Sequence, residues 1–541
     1  MRRFLAAIIG IGWVCTWNSL AGGSTGGYRN HPLTIDEAVQ LALKQNPSIL
    51  QQVQELKRQR GLVLQAQSRL LPQLTATANA TKDDPALVRS STSSSTSQLD
   101  LLAVPAGQNL LINPATGATN AVGLPVTGLS SGASTATNSW QVQLSVSQTI
   151  WDGELGIAGR RQARISEDAA FYQLRDTMDQ VVANVRTQFS QILLNRALIQ
   201  VQEESVNLLQ SQLADQRSRF EAGTVPQFNV LQAETQLENQ IPQLIQARNN
   251  YRTSQLNLAR TLGIPADRQY ASDEPLPVSG QLTYNPMPYD LASALTMARN
   301  NRPFLKVQRS NVLANVENIT VQAAGFQPTL TANAGLEQRS NPQSNNLSDT
   351  RQGWFLGLSG QWAIFDGGNT YGRVKSARAQ LEQAKSQFDD SVRQVEVEVA
   401  TAVSNLRNAQ ETVASTQKAI QEARESLRLS NERLAAGTGT QLDVLNAQTQ
   451  LTTAQTNFVQ AEFNYTSALI EFQRSTATEV KYNNEFDSNT ARPSTLTAKE
   501  VQKAVKFRRD SPLDPDKPST AKAKRESLIP PQGKVDLRAN D

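Results

Sequence analysis

Few residues in this chain could carry out chemistry. A single histidine, His31, and a single cysteine, Cys15, occur among its 541 residues. No histidine-based triad and no site with several histidine or cysteine ligands can therefore be assembled within one chain. Carboxylates remain as acid–base candidates, but most alternate with Lys, Arg and Gln along helical segments, which is typical of a solvated face. We expect a protein that is not an enzyme and that has no cofactor and no metal site.

Two carboxylates stand beside glycines, a pattern that also occurs in catalytic turns. They are Asp152 with Gly153 and Asp366 with Gly367. Each pair lies where a strand pattern gives way to a helix pattern, and a carboxylate there accepts hydrogen bonds from the unpaired amides of the first helical turn. The positions predict strand-to-helix caps rather than catalysis. Asp443 is a separate candidate, because it lies at the start of a predicted helix.

These residues belong to a long sequence that occurs twice. Asp152 and Asp366 lie 214 residues apart, as do Gly223 and Gly437, and the segment RFEAGTVPQFNVLQAETQLENQ recurs as RLAAGTGTQLDVLNAQTQLTTA. Matched prolines near the start of each copy lie 256 residues apart, so the first copy carries 42 extra residues. An internal two-fold repeat predicts that each half has the structure of the other.

Apolar residues at seven-residue spacing predict one long helix in each copy. The second copy places them from Val392 to Leu434, and the first from Met178 to Phe220. Each long helix should turn back at a glycine and continue as an antiparallel return helix. Pro242 should kink or divide the first return helix. Two further helices, 35–70 and 291–326, should open the copies.

Short alternating segments predict four strands, each with one apolar and one polar face. They should lie near 73–81, 140–150, 329–338 and 353–364, and the alternation is clearest at 140–147. Four of the six tryptophans lie in or beside these segments, as an aromatic belt at a membrane surface requires: Trp140, Trp151, Trp354 and Trp362. The alternative is a soluble sheet that buries one face.

The number of strands predicts association. Four strands cannot close into a barrel, and an open edge within lipid leaves backbone groups unpaired. Two copies would give a narrow, filled barrel of eight strands, whereas three would give twelve strands around a lumen. A conducting duct favours three copies.

Composition predicts the remaining regions. Arg2 and Arg3 followed by a short apolar run predict a signal peptide over 1–21, with a retained membrane anchor as the alternative. The first repeat should span 33–263, including a long extracellular loop at 82–139, and a linker at 264–288 should lead to a second repeat at 289–475. The net charge of +4 is confined to a disordered tail within 476–541, so nucleic-acid binding is not expected.

The chain resembles the TolC family of outer-membrane efflux ducts in two paired features. These are the turns Trp151–Gly153 and Phe365–Gly368, and the AGT segments at 222–224 and 436–438, where the long helices are predicted to turn back. The resemblance covers about residues 33–475. It implies a mixed α and β membrane protein, in which long coiled-coil helices form a trimeric α-barrel joined to a trimeric twelve-stranded transmembrane β-barrel. It also implies a location in the outer membrane with the helices in the periplasm, and partners in a periplasmic adaptor and an inner-membrane transporter.

The resemblance also gives roles to residues of the helix tips. The turns at Gly223, Thr224, Gly437 and Thr438 would contact the adaptor. Asp443 would form an acidic ring at the periplasmic constriction, with Asn446 and Asn229 as further candidates; the alternative is an exposed helix-start carboxylate. Some relatives close this constriction with an Arg–Asp pair, but the matching positions here are Gly439 and Asn229, which predicts a constriction without that ionic contact.

These observations predict an exit duct for efflux or type I secretion. The alternative is a periplasmic coiled-coil adaptor that never enters the membrane, and a diffusion porin is disfavoured by the long helices. The sequence does not indicate the cargo.

Overall fold

The fold is that of a computed structural model, which describes residues 32–84, 137–264, 276–342 and 344–478. The predicted signal peptide, most of the predicted 82–139 loop and nearly all of the predicted tail lie outside these residues.

The described residues form eight α-helices and four strands. The helices are α1 (Ile35–Gln45), α2 (Pro47–Ser68), α3 (Leu155–Glu221), α4 (Gln227–Thr261), α5 (Leu291–Asn301), α6 (Pro303–Ala323), α7 (Asn369–Ala435) and α8 (Gln441–Thr476). The strands are β1 (Gln73–Lys82), β2 (Asn138–Trp151), β3 (Thr329–Ser340) and β4 (Thr350–Gln361). Both long helices, α3 and α7, contain 67 residues. Among the described residues, no helix has the length and apolar character needed to cross a membrane.

The two opening helices are divided, contrary to the prediction of one helix each. Asn46 and Arg302 end α1 and α5 with extended backbone, at ψ 126° and 121°. Each precedes a proline, whose ring disfavours helical backbone in the residue before it and suits the first position of the next helix. The prolines therefore separate two helices in each copy.

Pro242, in contrast, does not end a helix. It lies inside α4, which continues as one helix from Gln227 to Thr261, so the helix is not divided there, and the kink that was the other expectation stays a prediction. An internal proline removes one backbone hydrogen bond, and the packing of Ala233, Leu237 and Ala247 on either side of it continues along the helix.

The described chain forms two compact units. The first comprises residues 32–54, 172–264, 276–305 and 390–478, and the second comprises 55–84, 137–171, 306–342 and 344–389.

The core of the first unit follows the predicted heptad spacing along α7. Buried positions recur every three or four residues, at Val395, Val399, Ala402, Leu406, Ala409 and Val413. They pack against α5, α6 and α8. Beyond Val413 the predicted positions are only half-buried in a single chain. In the first copy Phe220, the last position of the predicted seam, is 44% exposed in a single chain.

The predicted linker is held against the first unit over its described part. Leu33 and Val278 form a parallel β-bridge, and Gln255 on α4 donates to the carbonyl of Leu276 at 2.8 Å. Further along, the Tyr465 hydroxyl on α8 donates to the Asn285 carbonyl. Residues 276–290 thus form an extended strap fixed by side chains of the helices.

The second unit contains a single antiparallel sheet in the order β1-β2-β3-β4. Its strands begin and end close to the predicted positions, except that β4 ends at Gln361. Trp362 and Ile364, predicted to continue its apolar face, therefore lie beyond the strand. Two neighbouring glycines, Gly367 and Gly368, have positive φ in the turn that follows.

Candidate functional sites in the sheet and at the helix tips

Strand register divides the sheet into one apolar and one polar face. Leu144 pairs with Leu336 and Ala76, and Leu336 also pairs with Trp354, so one cross-strand row is apolar throughout. The next row contains Thr75, Ser145, Gly335 and Phe355. Directly paired residues of antiparallel strands point to the same face. The alternation therefore holds across all four strands.

The apolar face is uncovered. Its large side chains are 39–78% exposed, and they are Leu74, Val142, Leu144, Val146, Leu336, Trp354, Leu356 and Leu358. A contiguous apolar surface of this kind marks contact with lipid or another protein. The edge strands β1 and β4 also each have one side without a partner strand in the described chain.

Three of the four tryptophans lie near the ends of the sheet. Trp140 is near the turn between β3 and β4, and Trp151 and Trp362 are near the helices, whereas Trp354 lies within β4, opposite Leu336. The Trp140 indole donates to the Leu347 carbonyl at 3.0 Å, and the Trp362 indole donates to the Phe326 carbonyl at 3.1 Å. Tryptophan is favoured at the two surfaces of a membrane because its ring is apolar and its N–H is polar.

The two strand-to-helix turns use their carboxylates as hydrogen-bond acceptors. Asp152 accepts from the amide of Gly156 at 2.8 Å, and Asp366 accepts from the amides of Gly368 and Thr370 at 3.0 and 2.7 Å. Hydrogen bonds from Thr370 hold the pKa of the Asp366 carboxyl below its ordinary value. Such a carboxylate stays ionised and is a poor proton donor at neutral pH.

Glycine allows the backbone of both turns. Gly153 and Gly367 both have φ of 68°, a left-handed conformation that disfavours a side chain. A Cβ on Gly153 would also lie 2.9 Å from the Ala324 carbonyl oxygen, whereas one on Gly367 would meet nothing within 4 Å. Gly153 therefore serves close packing as well as the turn.

The two long helices, α3 and α7, end in the same way. Gly223 and Gly437 have φ of 74° and 73°. The amides of Thr224 and Thr438 donate back to the carbonyls of Arg219 and Arg433, at 2.8 and 2.9 Å. This pattern closes a helix with a left-handed glycine. Each threonine hydroxyl donates to the same carbonyl, which leaves little freedom in the turn.

The return helices begin differently. Thr440 and Asp443 form a capping box at the start of α8: the Thr440 amide donates to Asp443 at 2.9 Å, and the Asp443 amide donates to the Thr440 hydroxyl at 3.2 Å. These contacts with Thr440 hold the pKa of the exposed Asp443 carboxyl below its ordinary value. The first copy has Pro226 at the cap position of α4, without a side-chain hydrogen bond.

The other predicted constriction residues lie close to these caps in the chain. Asn229 is half-buried, and its amide donates to the Pro226 carbonyl at 3.1 Å. Asn446 is exposed one turn after Asp443. Uncharged contacts join α3 to α8 nearby: the Gln216 amide donates to the Gln441 side chain at 3.2 Å.

A buried charged cluster in the first unit was not predicted. Arg302, whose side chain is 7% exposed, lies 2.6 Å from Glu398, and Glu398 also pairs with Arg474. Burial raises the pKa of Glu398, but Arg302 and Arg474 outweigh burial and lower it overall. Arg302 precedes Pro303, at the position that Asn46 occupies in the first copy. The arginine in place of asparagine at this matched position was the sequence signal for the cluster.

The comparisons with known proteins agree on one family. The profile of the family described as "OEP: Outer membrane efflux protein" matches residues 38–264 and 294–478. The outer membrane protein TolC of Escherichia coli (strain K12) is 32% identical over 123 residues, which is 23% of this chain and 25% of TolC. The match thus spans only a quarter of the length of that relative.

Solved structures are similar over most of the chain. The CmeC outer membrane channel of Campylobacter jejuni has a TM-score of 0.65 at 16% identity, covering 84% of this chain and 88% of CmeC. The outer membrane protein VceC of Vibrio cholerae has a TM-score of 0.63 at 18% identity, covering 82% of this chain and 95% of VceC. At these identities the likeness shows the fold.

Proposed function

Because this chain belongs to the outer membrane efflux protein family, we propose that it is the exit duct of a tripartite efflux pump or a type I secretion system. As a member of that family it is a protein of the outer membrane, with its helical part in the periplasm. The family is one of efflux proteins rather than of enzymes. The predicted alternative, a periplasmic adaptor that never enters the membrane, is therefore not supported.

The sheet carries the proposal. It has four strands, two edge strands and an uncovered apolar face. In lipid, every backbone group needs a hydrogen-bond partner, so an open sheet must pair its edges with other copies. Three copies of four strands would give a twelve-stranded barrel, with the apolar rows facing lipid and the polar rows facing a lumen.

The helices of the first unit would continue this duct as a trimeric α-barrel. Its long helices carry a regular apolar seam, and in α7 the seam continues as half-buried positions beyond Val413 that further copies would cover. In this arrangement the tips at Gly223, Thr224, Gly437 and Thr438 would meet the periplasmic adaptor, which connects the duct to an inner-membrane transporter.

Asp443 is the proposed charged residue of the constriction. In a trimer, three copies of its exposed carboxylate would surround one axis, where a narrow passage concentrates negative potential and favours cations. Its hydrogen bonds with Thr440 fix the carboxylate at the helix start. Asn446 and Asn229 would add neutral hydrogen-bonding groups, and uncharged contacts such as Gln216 with Gln441 would replace an ionic closing pair.

Conductance tests the duct. The full-length protein, purified from outer membranes and added to a planar lipid bilayer, should produce ion-conducting channels. A matched sample in which the protein is heat-denatured controls for detergent and contaminants. Failure to insert into the bilayer, from a preparation that retains its helical circular dichroism, would contradict the proposal.

A further inference from the structure

One aromatic ring interrupts the polar face of the sheet. Along the four strands, the described residues of that face carry hydroxyl, amide or charged side chains or are glycines, and Phe355 is the exception. The apolar residues next to it in sequence, Trp354 and Leu356, point to the opposite face and are 78% and 75% exposed. Phe355 itself is half-buried, although no large residue pairs with it across the strands.

Glycines surround this ring. Gly335 is its cross-strand partner on β3, and a Cβ on Gly335 would lie 2.7 Å from the ring atoms Cε1 and Cζ of Phe355. The ring therefore lies directly over the Gly335 backbone. Gly353 and Gly357 are its neighbours on the same face of β4, and a Cβ on either would meet nothing within 4 Å.

This arrangement leaves part of the ring open to the space in front of the polar face. The Cε1–Cζ side of the ring lies against Gly335, and the adjacent positions along β4 have no side chains to cover the rest. The charged residues of the polar face lie one or two rows away, with Glu337 opposite Gly353 and Arg339 opposite Arg351. An aromatic face attracts cations and flat apolar surfaces. The surrounding hydroxyls and amides offer only hydrogen bonds.

We infer that Phe355 is a specificity-determining residue, which contacts lipophilic organic cations or flat aromatic cargo as it passes the sheet. The inference rests on the proposed trimeric duct. Threefold symmetry would place three Phe355 rings at one level of the lumen, where the polar wall is otherwise free of apolar side chains. The rings would retain lipophilic cargo briefly while small inorganic ions pass.

Cysteine substitution tests where the ring lies. The only cysteine, Cys15, falls in the segment predicted to be removed, so an introduced thiol would be unique in the mature chain. Phe355→Cys channels in a bilayer should lose conductance in up to three steps when a bulky water-soluble methanethiosulfonate reagent is added. Trp354→Cys is the matched control on the opposite face, and its conductance should not change.

Block by tetraphenylphosphonium tests what the ring does. The Phe355→Leu variant keeps an apolar side chain but removes the aromatic face, and its block should weaken roughly two- to fivefold. Phe355→Tyr should retain the block, and Trp354→Leu should match the wild type. If Phe355→Leu conducts and is blocked as strongly as the wild type, or if the conductance of Phe355→Cys does not respond to the thiol reagent, the inference is wrong and the duct stands. Failure of the wild type to insert into the bilayer would overturn both.

Discussion

At the scale of single residues, the structure gives Asp443 a local role that the sequence left as an alternative. Its carboxylate completes a capping box with Thr440, and it remains exposed at the start of α8. Capping and a constriction ring are compatible, because a carboxylate that accepts hydrogen bonds at a helix start keeps its charge. A substitution that tests the constriction ring must therefore remove the charge of Asp443 but keep its hydrogen bonds with Thr440.

We expect Asp443→Asn to reduce the preference of the channel for cations, because it removes the charge but keeps an oxygen that can accept from Thr440. Asp443→Glu is the matched control: it keeps the charge and the capping box, and it should retain the preference. Alanine is less informative, since it would also remove the hydrogen bond that the Asp443 side chain accepts from the Thr440 amide. Ion selectivity is measured as the reversal potential in a salt gradient. An unchanged reversal potential in Asp443→Asn would exclude a constriction ring of Asp443 carboxylates.

The pH dependence of selectivity follows from the lowered pKa of Asp443. A lowered pKa means that the carboxylate keeps its charge as pH falls toward the ordinary Asp value of about 3.9. Cation preference should therefore be the same at pH 7 and pH 5 and should decline only at more acidic pH. The measurement is the reversal potential across this range. A decline between pH 7 and pH 5 that persists in Asp443→Asn would mean that a different group sets selectivity.

Among the elements, the two strand-to-helix turns provide a matched pair of glycines. Gly153 and Gly367 share the same φ, but only Gly153 has close neighbours. Gly367→Ala should cost about 1–2 kcal/mol for the left-handed backbone. Gly153→Ala should cost about 1–3 kcal/mol more, because the added methyl group meets Ala324 and Gln327.

Thermal loss of helical circular dichroism in detergent would rank these variants. The expected order of midpoints is wild type, then Gly367→Ala, then Gly153→Ala. Equal midpoints for the two variants would show that the contact of Gly153 with the 3₁₀ turn Ala324–Phe326 contributes nothing to stability.

The charged cluster that joins α7 and α8 to the α5–α6 junction is a second test of the elements. Glu398→Gln would remove the carboxylate that pairs with both Arg302 and Arg474, and the loss of a charged hydrogen-bond partner from a largely buried arginine costs about 1–3 kcal/mol. Glu396→Gln, which disrupts the exposed pair with Arg299, is the control and should cost less than about 1 kcal/mol. Thermal midpoints of the two variants distinguish them, and equal values would contradict a stabilising role for Glu398.

The sequence predicted the elements best where a simple period was present. Two-residue alternation located β2 as 140–147 within an observed strand of Asn138–Trp151, and heptad spacing located the buried positions of α7. Proline was a less reliable signal. A helix ends just before Pro47 and just before Pro303, whereas α4 continues through Pro242. The outcome depends on whether neighbouring turns retain enough packing to keep the helix continuous, which a single sequence does not show.

For the whole molecule, the sequence predicted the number of strands but not their register. Phe355 and Gly335 are 20 residues apart in the chain, and only the pairing of β3 with β4 brings them together. The same pairing aligns the apolar rows into one surface. The cluster around Glu398 likewise joins residues from distant helices. Contacts of this kind depend on tertiary packing, which no local period encodes.

In the proposed duct, the sheet is completed by other copies of the chain. The most direct measurement is the mass of the protein extracted from outer membranes in mild detergent, by light scattering corrected for bound detergent. A trimeric duct would give a particle of three chains. A monomer or dimer recovered without detergent would contradict it, since the apolar face and both sheet edges would then have to remain in water.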